Sequence, residues 1–203
     1  MYEKHFKRPL DFSLALFALL LFWPMLLLIA IAVRINMGSP VVFTQERPGL
    51  GGEIFKIKKF RTMTDERDSE GNLLPDDQRL SKFGRMMRAS SVDEALELIL
   101  IAKGDLALVG PRPLLAEYLS RYSEDQMHRH DVRPGLTGYA QIAGRNLCSW
   151  EDKFRKDVEY VHHITFLGDL KIMLKTVGVV LKRKGVSSKS SATMEVFTGN
   201  EGK

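Results

Sequence analysis

Asp93 and Glu94 are adjacent acids in a 203-residue chain, and adjacent acids can do chemistry. A carboxylate that stays ionised can attack phosphorus or ligate a magnesium ion. The two stand in Ser91-Val92-Asp93-Glu94, which fits a capping box ahead of the apolar run ALELILIA. That pattern predicts a helix that begins at Ser91 and is ended by Gly104-Asp105. It also supplies a purely structural account, because acids in a first helical turn satisfy free amides and the dipole. The same helix end attracts anions, so a carboxylate and a phosphate can meet there. Both readings stand at this level.

The cations follow a similar logic. Arg112 lies between Pro111 and Pro113, where a stiff turn can aim a guanidinium at phosphate oxygens. Lys59 and Arg61, with Arg85, Arg88, Arg133 and Arg145, add positive charge near expected loops. Scattered surface charge would account for these equally well. His128-Arg129-His130 and His162-His163 lack metal-ligand spacing, and Cys148 has no evident base partner. No Gly-Lys-Ser/Thr follows Gly104 to Gly110, so this is not a nucleotide P-loop.

Those residues need a scaffold, and composition bounds it. A single cysteine excludes a disulfide-stapled secreted domain. A net charge of +5 favours an anionic partner: nucleic acid, an anionic membrane face or a phosphorylated substrate. Nucleic acid is disfavoured, since no recognisable module and few interleaved aromatics accompany the charge.

Between Asp11 and Arg34 the chain has no charge. Residues 12–33 would span about 33 Å as a helix, enough to cross a hydrocarbon core. A simple span is one reading. Pro24 interrupts the segment, however, and Lys4, Lys7 and Arg8 precede it while Arg34 follows. Positive charge on both flanks gives no orientation to a span. It suits a re-entrant helix–break–helix that enters and leaves on one face, bending at Trp23-Pro24. A cleaved signal at Ala30-Ile31-Ala32 is disfavoured because the apolar run is too long.

The remainder reads as α+β and mostly helical. VVFTQ and EIFKIKKFR flank a Pro/Gly turn and predict a small β-hairpin. Residues 64–77 read as a polar loop, Pro113 onward as a helix, 133–138 as a loop and 149–163 as a helix. In residues 169–184, Leu170, Met173, Leu174, Val177 and Leu181 fall at helical spacing among lysines. Such a helix lies on a membrane surface or against the core. Three regions result: a membrane hairpin (1–36), a cytosolic and interfacial catalytic region (37–184) and a polar tail (185–203) expected to fray.

Six segments share an order and spacing: VVFTQERPG, FKIKKFRTM, SSVDE, GDLALVGPRPLL, RPGLTGYAQIAGR and Asp157-Val158-Glu159-Tyr160-Val161. Together, from about Tyr2 to Lys184, they closely resemble the monotopic phosphoglycosyl transferases. The likeness is strongest to the small, minimal form that handles UDP-N,N'-diacetylbacillosamine in bacterial N-linked protein glycosylation.

The resemblance implies an enzyme of the bacterial inner membrane with its active site on the cytoplasmic face. Interfacial amphipathic helices would surround that site. It implies transfer of a sugar 1-phosphate from a UDP-sugar to undecaprenyl phosphate, with release of UMP. Asp93 would be the nucleophile, giving a covalent phosphosugar intermediate, and would help hold Mg2+. Glu94 would orient it or link to the metal. Lys59, Arg88, Arg112, Arg133, Gln141, Arg145 and Asp157 would serve substrate or phosphate binding. Membrane lipids are implied partners, nucleic acid is not, and a homo-oligomer stays open.

The chain departs from the family pattern at three places. Trp23-Pro24 replaces Ser-Pro at the membrane break, Asp93-Glu94-Ala95-Leu96-Glu97 replaces the usual Pro or Leu with Gln after the dyad, and Ala143 replaces an Asn. Two rivals remain: direct transfer in a ternary complex, and a membrane-anchored basic adaptor in which Asp93-Glu94 only caps a helix.

Overall fold

A computed structural model describes residues 1–144, 148–181 and 196–199. A π-helical turn (Tyr2–Phe6) leads into α1 (Lys7–Met37), then the hairpin strands β1 (Val42–Pro48) and β2 (Ile54–Phe60). Next come α2 (Asp76–Arg79), α3 (Lys82–Ser90), α4 (Glu97–Lys103) and β3 (Ala107–Val109). The chain continues through α5 (Glu124–Met127), β4 (Gly135–Thr137), α6 (Tyr139–Ala143), α7 (Trp150–His162) and α8 (Phe166–Leu181). The expected α+β, mostly helical class holds.

The 31 residues of α1 carry two separate docking faces. Lys7, Asp11 and Ala15, one turn apart, are buried near its start, and Val33 and Met37 near its end. Ala15 packs in the cluster of Ile57, Leu100, Ile101 and Leu106. Val33 packs in that of Met37, Phe60 and Met87. Between them, the six residues from Leu20 to Met25 are exposed on every side. A straight helix lying along the domain would bury one side of its middle. The middle of α1, with Pro24 in it, is therefore not packed against the rest of the described chain, while both ends are.

One expectation is corrected here. The helical run is not interrupted at Trp23-Pro24, because Pro24 lies inside α1. Proline removes a single hydrogen bond from the ladder, and helices absorb that loss as a bend. The flanking cations are corrected too, since two of them serve the fold. Lys7 is 2.6 Å from Asp169 of α8, a carboxylate that also accepts from Tyr2 and Tyr160. Arg8 donates to the Ile101 and Ala102 carbonyls at the end of α4, which the helix leaves unpaired.

The hairpin forms as expected, antiparallel, with Arg47 opposite Phe55 and Phe43 opposite Lys59. The segment expected as a loop at 133–138 contains β4, which pairs parallel with β3. This joins two Pro/Gly motifs backbone to backbone. A Cβ on Gly135 would lie 2.1 Å from the Gly110 nitrogen, and one on Gly138 would lie 2.1 Å from the Gly110 oxygen. Only glycine allows that approach, and it fixes where Pro111-Arg112-Pro113 begins.

On α8, Leu167, Leu170, Leu174, Val177 and Leu181 are exposed while Asp169 and Ile172 are buried. Four of the five expected stripe residues thus face outward, as a surface-lying helix requires, while Met173 packs with Ile172 against the Val109 cluster. Together with the exposed apolar flanks of α1, this stripe makes the protein membrane-associated. Most of the expected tail lies outside the described residues. Within it Phe197 is buried rather than frayed, stacked among Tyr118, Tyr122, Trp150 and Phe154.

Candidate active site

The helix expected to start at Ser91 does not start there. Ser91 caps the end of α3 with φ +57°, the one non-glycine in the left-handed region among the described residues. Its side chain caps nothing. A 3-10 turn, Val92–Glu94, follows, and α4 begins only at Glu97. The amides a capping box would have satisfied are bonded to backbone instead, Glu94 to the Ser91 carbonyl and Ser91 to the Arg88 carbonyl. Such a conformation costs on the order of 1–3 kcal/mol and is held by its surroundings. Its effect is to turn Asp93 inward, where it is 8% exposed.

The dyad does not act as a cap. Glu94 Oε1 accepts from Lys59 Nζ at 2.6 Å and from Arg112 Nη2. Burial opposes ionisation of Glu94, but Arg112 and Lys59 overcome it and hold the carboxyl well below the usual range. Strand β2 delivers Lys59, and the segment beyond β3 delivers Arg112. Lys59 also lies 3.2 Å from Glu97, which is 1% exposed. Burial pushes Glu97 up to about 7 despite Lys59.

Asp93 differs from both. Among the described residues nothing hydrogen-bonds its carboxylate. Burial, then the Glu94 charge, raises its proton affinity, while Lys59, Arg88 and Arg112 pull it down. Arg88, whose Nε donates to Thr62, is itself lowered by burial and supported by Asp93. A desolvated carboxylate with cations nearby but no hydrogen-bond donor on it is chemically available.

The other expected residues divide. Asp157 is bound by Arg129, whose Nη2 lies 2.7 Å from it and also donates to the Arg112 carbonyl at 2.7 Å. Asp157 therefore reaches the site through Arg129. Arg133 donates to the Gly104 carbonyl and Gln141 to the Leu136 carbonyl, so neither joins the dyad. Arg145 lies outside the described residues. Arg61 and Arg85 bond backbone carbonyls of neighbouring loops. A cavity of about 200 Å³ lined by Tyr139, Tyr160, Lys171 and Lys175 contains none of these groups.

Sequence reasoning missed Glu97 and Arg129. Glu97 was visible as an acid inside an apolar run, three residues after Glu94. Arg129 was hidden in a His-Arg-His triplet weighed only for metal binding.

For magnesium, no three His, Cys, Asp or Glu side chains converge among the described residues. Among the described residues Asp93 is the one carboxylate of the group that pairs with no cation within 4 Å. Magnesium keeps waters and takes one or two carboxylates plus substrate phosphates, which this donor set fits.

A profile of the family described as bacterial sugar transferase matches residues 2–183. The chain is 53% identical over 194 residues to an uncharacterized sugar transferase, EpsL, of Bacillus subtilis (strain 168), covering 96% of each protein. It is 37% identical to a UDP-glucose:undecaprenyl-phosphate glucose-1-phosphate transferase of Caulobacter vibrioides, covering 86% of this chain and 69% of the relative. A UDP-N-acetylgalactosamine-undecaprenyl-phosphate N-acetylgalactosaminephosphotransferase of Aeromonas hydrophila is 31% identical, and there the match spans 43% of the longer relative. With nearly its whole length matched, the chain belongs to the bacterial sugar transferase family.

Proposed function

We propose that this protein transfers a sugar 1-phosphate from a UDP-sugar to undecaprenyl phosphate at the cytoplasmic face of the bacterial inner membrane. UDP-N,N'-diacetylbacillosamine is the donor the sequence resemblance favours, for a first membrane step of glycoconjugate assembly such as N-linked protein glycosylation. The names of relatives add UDP-glucose and UDP-N-acetylgalactosamine as donors to compare. The observation that carries the reading is Asp93: buried, unbonded, and beside a glutamate that holds two cations in place.

In the first step an Asp93 oxygen attacks the β-phosphorus, and the bond from that phosphorus to the UMP oxygen breaks. UMP leaves with the electron pair. In the second, the lipid phosphate attacks the same phosphorus, the acyl-phosphate bond breaks and Asp93 is restored. The acceptor is already ionised at neutral pH, so this step needs no general base. Lys59 and Arg112, locked on Glu94, present fixed positive charge to the pyrophosphate. Magnesium, when bound by Asp93 and phosphate oxygens, supplies further charge neutralisation. The apolar faces of α1 and α8 keep the site at the interface where a soluble and a lipid substrate can meet.

The test is UMP release by detergent-solubilised protein with magnesium and a panel of UDP-sugars, without acceptor, followed by intact mass. The expected result is about one UMP per enzyme and a phosphosugar adduct, both absent in Asp93→Asn. UMP appearing only after acceptor is added would support direct transfer. No UMP even with acceptor would sink the transferase reading.

A further inference from the structure

Arg47 is a half-buried guanidinium with little to bind. Its Nη2 donates to Gln45 Oε1 at 2.6 Å, while its Nε is buried without a partner. Burial, then the Arg112 charge, lowers Arg47 to about 10, with Tyr118, Glu97 and Tyr122 acting in the opposite sense. Two arginines are thus close enough to repel each other. One is committed to Glu94; the other has no carboxylate partner among the described residues.

The strand register gives Arg47 its place. Directly paired residues of an antiparallel hairpin share a face, and side chains two residues apart do too. Arg47 pairs with Phe55 and Gln45 with Ile57, so both share a face with Phe55, Ile57 and Lys59. Phe55 and Lys59 are four residues apart, roughly 13 Å along the strand. Lys59 marks the end of this face where Glu94 and Asp93 stand. Arg47 marks the other end, within electrostatic reach of Arg112, Tyr118 and Tyr122.

We infer that Arg47 binds the phosphate of the UMP half of the donor. This rests on the proposed transferase reading and extends it. If Asp93 attacks the β-phosphorus, the leaving group must lie away from Asp93 along the same line. On the hairpin face that carries Lys59, the other cation is Arg47, which pairs with no carboxylate among the described residues. A guanidinium there would meet the α-phosphate before cleavage and the added charge of UMP afterwards. A planar fork suits that bidentate contact better than an ammonium.

The experiment measures equilibrium binding of UMP and of uridine, with donor and acceptor KM, for wild type, Arg47→Gln and Arg47→Lys. A charged hydrogen bond implies a loss of about tenfold to a hundredfold in UMP affinity for Arg47→Gln, and a smaller loss for Arg47→Lys. Uridine binding and acceptor KM should stay as in wild type, and donor KM should rise. Unchanged UMP affinity in Arg47→Gln, with wild type still releasing UMP from its donor, would overturn the inference and leave the transferase reading intact. A wild type that neither binds nor releases UMP would overturn both. A fall in thermal stability with equal losses for UMP and uridine in both variants would make Arg47 a packing residue and also overturn it.

Discussion

Replacing Glu97 with Gln should change how stability depends on pH. The substitution keeps shape and removes one titrating group. In the folded chain Glu97 holds its proton up to about 7, against an ordinary value of 4.5, because it is buried. As pH rises through that window the unfolded chain loses this proton and the folded chain keeps it. The folded state then binds more protons, so stability falls with rising pH. At about 1.4 kcal/mol for each tenfold change in proton affinity, the wild type loses roughly 3 kcal/mol between pH 4.5 and pH 8 that Glu97→Gln does not lose. For a chain of this size that corresponds to a relative gain of about 6–12 °C for the variant at pH 8. Thermal midpoints of both proteins in detergent, from pH 4.5 to 8.5, measure it. The difference between two pH values cancels any constant cost of the substitution. A gap that stays flat, or that turns against the variant at high pH, would refute the reasoning. It would mean Glu97 is ionised and bound to Lys59.

Other outcomes follow from the same contacts. Glu94→Gln should cost about 3 kcal/mol, because it leaves Lys59 and Arg112 facing each other without the charge that holds both; chemical denaturation measures the loss, and UMP release should fall with it. Arg129→Met strands the buried Asp157 and frees the Arg112 carbonyl, so about 3–5 kcal/mol of stability should go, with kcat reduced in the surviving folded fraction. Leu174→Glu on the outer stripe of α8 should weaken retention on vesicles in a flotation assay and change stability in detergent by no more than about 0.5 kcal/mol, because the residue is 67% exposed.

Local patterns carried well from sequence to structure where one element suffices. The hairpin, α7, α8 and the apolar N-terminal helix all have a period or a turn signal of their own. What failed involved competition between levels. Ser91-Val92-Asp93-Glu94 has every feature of a capping box, but α3 ends at that same serine, and one residue cannot serve both ends in helical geometry. Strand β4 is three residues long and exists only because β3 lies beside it, so residues 133–138 carry no strand signal alone. Lys7 and Arg8 looked like membrane-flanking charge, since nothing near them in sequence foretells Asp169 or the end of α4. At the candidate site, the residues brought to Glu94 were legible by type. Arg129 and Arg47 were not, because their importance comes from neighbours distant in sequence.

The apolar helix provides Ala15 to one cluster and Val33 and Met37 to another, and the rest of the chain completes both. The anchor and the catalytic part therefore share their interiors and have no seam along which to separate. Clipping α1 away would open both clusters instead of liberating a water-soluble enzyme. In this architecture the apolar helix and the native state stand or fall together, so the surface that holds the protein to a membrane cannot be shed while the fold persists.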